Sequence, residues 1–371
     1  MTLLRIVLAF LSIWGVSGCN NYGYIGYRPN DTGGAAPSDR PVDTDSSVSS
    51  DHTDDTDDTS RRSDAGVDDS EETSTPTTLE LTGDLEVLDP SMIRAEDQYL
   101  IFHTGEGIPI KRSSDMREWH AAGTVFEAMP DWVVERFGDI QEIWAPDISY
   151  SNGTYYLYYS VSAVFGENNS CIAVATATDP LQGPWTDHGP VVCSTASDMW
   201  NAIDPNFIRD ESGTPWLVFG SYWSGIKMMA LSTQGTATEG SLLSISSRGS
   251  LVATAAPFII RRNEYYYHFV SFGQCCAGLE STHNIRVGRS EHITGPYIDK
   301  DGVEMMSGGG SPIMPADDER WKGPGHNAVF EDNGQFYNVY HAYDAENDGQ
   351  PTLRISELFF NRNDWPIIHG P

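Results

Sequence analysis

Basic residues are scarce in this chain: 22 Lys and Arg stand against 53 Asp and Glu in 371 residues, a net charge of −31. Nucleic acid and other anionic polymers require clustered Lys and Arg, so the composition excludes them as partners. Long apolar runs are missing too. The run from Ile6 to Val16, behind Arg5, is too short to span a bilayer. There are five cysteines, and no pair has the spacing of zinc ligands. The acidic stretch Asp51-His52-Thr53-Asp54-Asp55-Thr56-Asp57-Asp58 lacks the Gly-centred loop with a closing Glu that a calcium hand needs. It reads as a solvated spacer.

Three regions follow from these absences. Residues 1–19 form a secretion signal ending Val16-Ser17-Gly18-Cys19, which resembles the lipobox of bacterial lipoproteins. The resemblance implies that Cys19 is lipidated and becomes the mature N-terminus. The expected location is therefore the cell envelope or surface, with membrane contact only through that anchor. Residues 20–80 are rich in Asp, Ser, Thr, Gly and Pro and bury too little apolar surface to offset ordering entropy, so a disordered tether is expected. Residues 81–371 form the folded part, expected as a monomer. Cys171, Cys193, Cys275 and Cys276 fall within it; one disulfide is possible there and its pairing is open.

The folded part repeats. Each unit opens on an apolar strand near a proline: Leu88-Asp89-Pro90, Ala145-Pro146-Asp147, Ile203-Asp204-Pro205, Ala256-Pro257-Phe258 and, with the proline displaced to Pro324, Gly325-His326-Asn327. An aromatic strand follows each opening, at Tyr99–Phe102, Tyr155–Tyr159, Trp216–Phe219, Tyr265–Phe269 and Phe336–Tyr340, and then a third strand. Openings recur every roughly 50 to 70 residues, which suits sheets of about four short strands. The expectation is an all-β fold, a five-bladed β-propeller. Innermost strands line a propeller's channel, so Asp89, Asp147, Asp204 and His326 are expected as neighbours at one mouth. Proline should also hold the residue before it in extended geometry. Trp144, Phe165 and the run Ser221-Tyr222-Trp223 place aromatics and small polar groups at strand ends, a combination that suits carbohydrate.

These motifs resemble the arabinanases of glycoside hydrolase family 43: Asp89-Pro90, Ile143-Trp144-Ala145-Pro146-Asp147-Ile148, Asn201-Ala202-Ile203-Asp204-Pro205-Asn206, Val270-Ser271-Phe272 followed by Cys275-Cys276, and Gly323-Pro324-Gly325-His326-Asn327. The resemblance covers about residues 85–365. It implies a five-bladed propeller that hydrolyses α-1,5-linked arabinofuranose chains with inversion, endo cleavage being the expected mode. By the same resemblance Asp89 is the general base, and Asp204 orients the acid and keeps its pKa high. Trp144, Phe165, Asn201, Ala202, Ile203, Ser221, Tyr222 and Trp223 contact sugar. His326 anchors a metal, commonly calcium, mostly through waters. Arabinan or a related pentose polysaccharide is the implied partner.

Two positions depart from the pattern, and the first is Leu88, which stands where the family usually has a His before the base. The family's general acid is a glutamate just before an Ala-Pro or Gly-Pro pair, and here that run is Thr254-Ala255-Ala256-Pro257. Ala255 occupies the acid position, and a methyl group donates no proton. The nearby glutamates Glu264 and Glu280 follow in a turn and behind the double cysteine. A weakened hydrolase is thus expected, with an inactive arabinan-binding surface protein as the alternative. A protein-interaction platform is a further reading, which the retained polar set of Asp89, Asn201 and Asp204 disfavours.

Overall fold

A computed structural model describes residues 75–249, 254–316 and 318–371. The signal segment, Cys19 and the tether through residue 74 lie outside the described residues. The described chain folds into five antiparallel sheets arranged as a five-bladed β-propeller. Blade 1 runs Ser91–Ala95, Gln98–Phe102, Pro109–Ser113 and Glu118–Thr124; blade 2 runs Trp144–Ser151, Thr154–Ser162, Ser170–Ala177 and Thr186–Cys193. Blade 3 consists of Asn206–Arg209, Pro215–Phe219, Ile226–Leu231 and Thr238–Ser246. Blade 4 has Thr254–Arg262, Tyr265–Phe272, Asn284–Ser290 and Ser311–Met314, and blade 5 has Trp321–Asp332, Gln335–Asp344, Gln350–Phe360 and Pro366–Ile368.

The second strand of each blade is buried on both faces, which is why it reads as an unbroken apolar and aromatic run. In blade 1, Leu100 and Phe102 face blade 2, while Tyr99 and Ile101 face blade 5. In blade 4, Tyr266 and Val270 face blade 3, while Tyr267 and Phe269 face blade 5. One hydrophobic cluster fills each of the five interfaces between blades.

The ring is closed by the segment just before blade 1. Leu79 N–H bonds the Ile355 carbonyl, Glu357 N–H bonds the Thr77 carbonyl, and Leu353 N–H bonds the Leu85 carbonyl, so this segment lies on the third strand of blade 5. Between those contacts, Thr82 and Gly83 pair in parallel with Glu118 and Trp119 of blade 1. First and last blades thereby share one strap, and edges that would otherwise be open to other chains are covered. The tether boundary expected at residue 80 is corrected by these bonds: residues 77–79 already belong to the propeller. Disulfides differ from the expectation as well. Cys171 pairs with Cys193 across the outer strands of blade 2, and Cys275 pairs with its neighbour Cys276.

Trp119 sits at the seam, fully buried against Leu79 and Val87 of the strap and Leu353 and Ile355 of blade 5. Trp119→Ala is expected to destabilise the propeller by about 3–5 kcal/mol, read as a fall in thermal midpoint. A fall no larger than a surface substitution gives would mean the strap does not hold the ring.

Candidate active site

Each blade begins with one residue in left-handed backbone. These are Asp89 (φ 53°), Ala145 (44°), Asp204 (55°), Ala256 (51°) and His326 (47°). Four of them precede proline, so the extended geometry expected there is corrected. L-residues adopt this region rarely, and it persists only where surrounding contacts enforce it. Here the enforcing contact is a hydrogen bond from the residue's own N–H to the preceding blade. Ala145 N–H donates to Thr104 Oγ1 (2.8 Å), Asp204 N–H to Ser160 Oγ (2.9 Å) and His326 N–H to Ser271 Oγ (2.8 Å). Asp89 N–H donates to His341 Nδ1 (3.1 Å), across the closure from blade 5. Ala256 is the exception: its N–H donates to Asp204 Oδ2 at 3.1 Å.

A second ring of ties lies just beyond the prolines. Ser91 Oγ accepts Ile148 N–H (3.1 Å), Asp147 Oδ2 accepts Phe207 N–H (2.6 Å), and Asn206 Oδ1 accepts Ile259 N–H (2.8 Å). Asp147 thus matches Ser91 and Asn206 in position, not Asp89 and Asp204. Its carboxylate joins blades 1, 2 and 3, and the expected place at the mouth is corrected to this buried ring.

Asp89 and His326 meet directly, with Asp89 Oδ1 3.0 Å from His326 Nδ1. Thr104 Oγ1 donates to the other oxygen, Oδ2, at 2.7 Å. Burial alone would raise the Asp89 carboxyl, but the charge and hydrogen bond of His326, helped by His341 and Thr104, carry it well below the carboxylate range. His326 shows the reciprocal effect. Burial opposes its charge, yet Asp89, with Asp204 and Asp147, pushes the imidazole up to about 9. Asp204 goes the other way: burial, with the Asp89 charge adding, lifts it to about 6 against the pull of His326 and the Ala256 N–H. Two carboxyl groups of one pore therefore titrate in well separated ranges, the condition for dividing acid and base work.

The remaining sequence-derived residues surround this pair. Tyr222 N–H donates to the Thr254 carbonyl (2.9 Å), setting Ser221, Tyr222 and Trp223 beside Ala255. Asn201 is buried, and its Oδ1 accepts Ser221 N–H at 2.9 Å. The Trp144 and Phe165 rings meet edge to face at 6.5 Å, with Phe165 exposed. Trp223 and Ile203 are half-buried. Ala202 has no surface at all; it packs with Phe219 and Ile172, and its N–H is taken by Ser170 and Ser194. A sugar contact from its side chain is corrected to a packing role. Glu264 turns at the hairpin end remote from Ala255, and Glu280 lies exposed in the short 3₁₀ turn Gly278–Glu280.

With this geometry in view, the sequence pattern of the glycosyl hydrolases family 43 matches residues 83–366. The chain belongs to that family. It is 43% identical over 286 residues to the extracellular endo-α-(1→5)-L-arabinanase 1 of Bacillus subtilis strain 168, covering 75% of this chain and 86% of the relative. It is 39% identical over 302 residues to the extracellular exo-α-(1→5)-L-arabinofuranosidase of Cellvibrio japonicus strain Ueda107, covering 76% and 86%. Among solved structures, the family 43 endo-arabinanase from Bacillus licheniformis superposes with a TM-score of 0.74 at 43% identity, covering 78% of this chain and 99% of that one.

The metal that family 43 resemblance implies can be tested on the donors present. His326 Nδ1 is committed to Asp89, while its Nε2 makes no hydrogen bond among the described residues. A carboxylate holding one ring nitrogen while the other faces a cation is a common metal-site order, and three pore carboxyl groups supply negative charge. The residues fit a cation at His326. A second cluster does not: Cys275, His283 and His341 bring ligand atoms within 4.8 Å of one another. Cys275 is oxidised to Cys276. His341 Nδ1 accepts the Asp89 N–H, which leaves its ring proton on Nε2.

Thr104, Ser160 and His341 escaped the sequence reading, and Ser271 entered it only as part of a motif, although all four position Asp89, Asp204 and His326. The available signal was small: each lies in or just after the aromatic second strand, where a lone polar residue interrupts an apolar run.

Asp147 is pushed up to about 7, chiefly by burial, with its hydrogen bonds and His326 pulling back. Its folded pKa exceeds the 3.8 of an ordinary aspartate. The native state therefore holds more protons than the unfolded chain between about 4 and about 7, and stability from this group falls as pH rises through that window. Comparing wild type with Asp147→Asn, the difference in thermal midpoint should shift against wild type from pH 4 to 7 and level off above. A pH-independent difference would refute the assignment.

Proposed function

We propose that this family 43 protein hydrolyses arabinan with inversion, its cleft crossing the pore mouth between the Trp144–Phe165 wall and the Ser221-Tyr222-Trp223 turn. The observation that carries this reading is the split between Asp89 and Asp204. Asp89 stays ionised beside His326 and is suited to take a proton from water, as an inverting base must. Asp204, lifted to about 6 next to the Ala255-Ala256 backbone, adds negative charge on the side where the family acid stands. The relatives named as an α-(1→5)-L-arabinanase and an α-(1→5)-L-arabinofuranosidase support arabinan as substrate, and both are described as extracellular. Asn201, through its bond to Ser221 N–H, fixes the turn that presents Tyr222 and Trp223 to sugar.

The reaction is slowed by Ala255. In inversion, water attacks the anomeric carbon while an acid protonates the departing oxygen, and that acid contributes about 10²–10⁴-fold. Ala255→Glu is expected to raise turnover of linear arabinan by at least about tenfold, within that range, measured by reducing-end release. An unchanged rate would show that position 255 is not the acid position. The alternative, an arabinan-binding protein without turnover, rests on the same alanine; it predicts binding by wild type with no products.

We further propose calcium at His326, held mostly through waters; binding there would displace the Nε2 proton that the imidazole otherwise carries. Chelation is expected to lower the thermal midpoint, calcium to restore it, and His326→Ala to abolish the response. At 100-fold excess over Kd the shift corresponds to about 2.7 kcal/mol. A chelator-insensitive midpoint would overturn the assignment. Secretion as a monomer, anchored by lipid on Cys19, completes the proposal.

A further inference from the structure

The turn between the second and third strands of blade 3 places two adjacent aromatic residues in left-handed backbone, Tyr222 at φ 53° and Trp223 at φ 47°. Residues other than glycine rarely adopt this region, and two in succession need contacts on both sides of the turn to hold them. Backbone N–H groups supply most of these contacts. Ser221 N–H donates to Asn201 Oδ1, Tyr222 N–H to the Thr254 carbonyl, Ser224 N–H to the Met199 carbonyl (2.7 Å) and Gly225 N–H to the Tyr222 carbonyl (2.8 Å). The exit from the turn is held by a side chain instead: Lys227 Nζ donates to the Ser224 carbonyl at 2.8 Å.

A lysine is a costly residue for that place. Lys227 is the second residue of the strand Ile226–Leu231 and only 4% exposed. Side chains alternate along a strand. Ile226 and Met228 pack toward blade 4, so Lys227 shares its face with Met229 and Leu231, which pack in the apolar cluster between blades 2 and 3. Burial disfavours the ammonium charge and lowers its pKa. Both of its hydrogen bonds go to neutral oxygens, the Ser224 carbonyl and Ser244 Oγ (2.9 Å), and no carboxylate among the described residues forms an ion pair with it. A buried charge without a counter-charge costs stability. Packing alone would favour an apolar side chain here; what the ammonium adds is the bond to Ser224.

We propose that Lys227 is a positioning residue for carbohydrate binding: through the Ser224 carbonyl it holds the turn in the strained conformation that presents Tyr222 and Trp223 to an arabinan chain. This rests on the reading of the cleft as an arabinan site. Without the bond, nothing on the exit side opposes relaxation of Tyr222 and Trp223 toward ordinary backbone, and a change of φ at either residue redirects both rings. The bound chain then loses the Trp223 face. The effect of removing Lys227 on affinity therefore passes through Trp223, whereas a lysine that served only the packing of blades 2 and 3 would change stability and leave the affinity of the folded protein as it is.

The test measures binding of a linear α-1,5-arabino-oligosaccharide to the full chain by calorimetry, in a cycle of wild type, Lys227→Met, Trp223→Ala and the double variant. Lys227→Met keeps the apolar stem and removes the donors. Its affinity should fall by about tenfold or more, the scale of one aromatic anchor, while a cooperative thermal transition shows that the variant is folded. Trp223→Ala should lose at least as much, and adding Lys227→Met to it should cost little more, because both changes remove the same contact. A folded Lys227→Met that binds as tightly as wild type, or two losses that simply add, would overturn the role and leave the arabinan reading standing. If Lys227→Met does not fold, Lys227→Gln takes its place in the cycle under the same criteria. A wild type that binds no arabino-oligosaccharide sinks the arabinan reading of the cleft, and this role with it.

Discussion

At the centre of this propeller, a backbone N–H of one blade reaches a side chain of the blade before it, and the bond holds the first residue of the innermost strand in left-handed conformation. Ala145, Asp204 and His326 hang in this way from Thr104, Ser160 and Ser271. Asp89 hangs from His341, a bond available only after the ring has closed. An L-residue in that conformation is strained by roughly 1–3 kcal/mol, so the contact must be kept for the geometry to persist. Closure is therefore part of the site: the strap that joins blades 5 and 1 also brings His341 to Asp89.

Electrostatics follow from that placement. Crowding Asp89, Asp147 and Asp204 around one pore makes the imidazole of His326 a strong base, while burial keeps the deeper histidines neutral, even His341, whose Nδ1 lies 3.6 Å from Asp89 Oδ1. His283 is pushed down to about 3 and His341 to about 4, in both cases mainly by burial. One cation among three carboxyl groups cannot neutralise them all. It pairs with Asp89, and burial leaves Asp147 and Asp204 far easier to protonate than Asp89. The unequal sharing of a single positive charge separates the two pore-mouth carboxyl groups into an ionised one and a protonatable one.

Much of the architecture was legible because its signals are local. The aromatic second strands, buried on both faces, read as apolar runs, and the openings with proline mark five units. The fourth strands were not located. Thr238–Ser246 is mostly exposed, and Thr186–Cys193 alternates in burial but places Asp187 and Gly189 on its inner face, so neither shows the apolar alternation that reveals a strand. The strap was missed for a similar reason: residues 77–79 are short, polar in part, and find their partners some 280 positions away. Ala202 shows the opposite failure, a motif residue named for the cleft that packing places in the core.

The amino-acid sequence by itself determined that this is a five-unit all-β chain, that Asp89, Asp204 and His326 hold corresponding places in their units, and that position 255 carries no acid. Those facts depend only on which residue types recur at which intervals. Tertiary structure alone decided that Asp89 and His326 touch and that Asp147 ties blades together. Contacts of this kind join residues from separate blades, and their distances and desolvation exist only once the ring has closed.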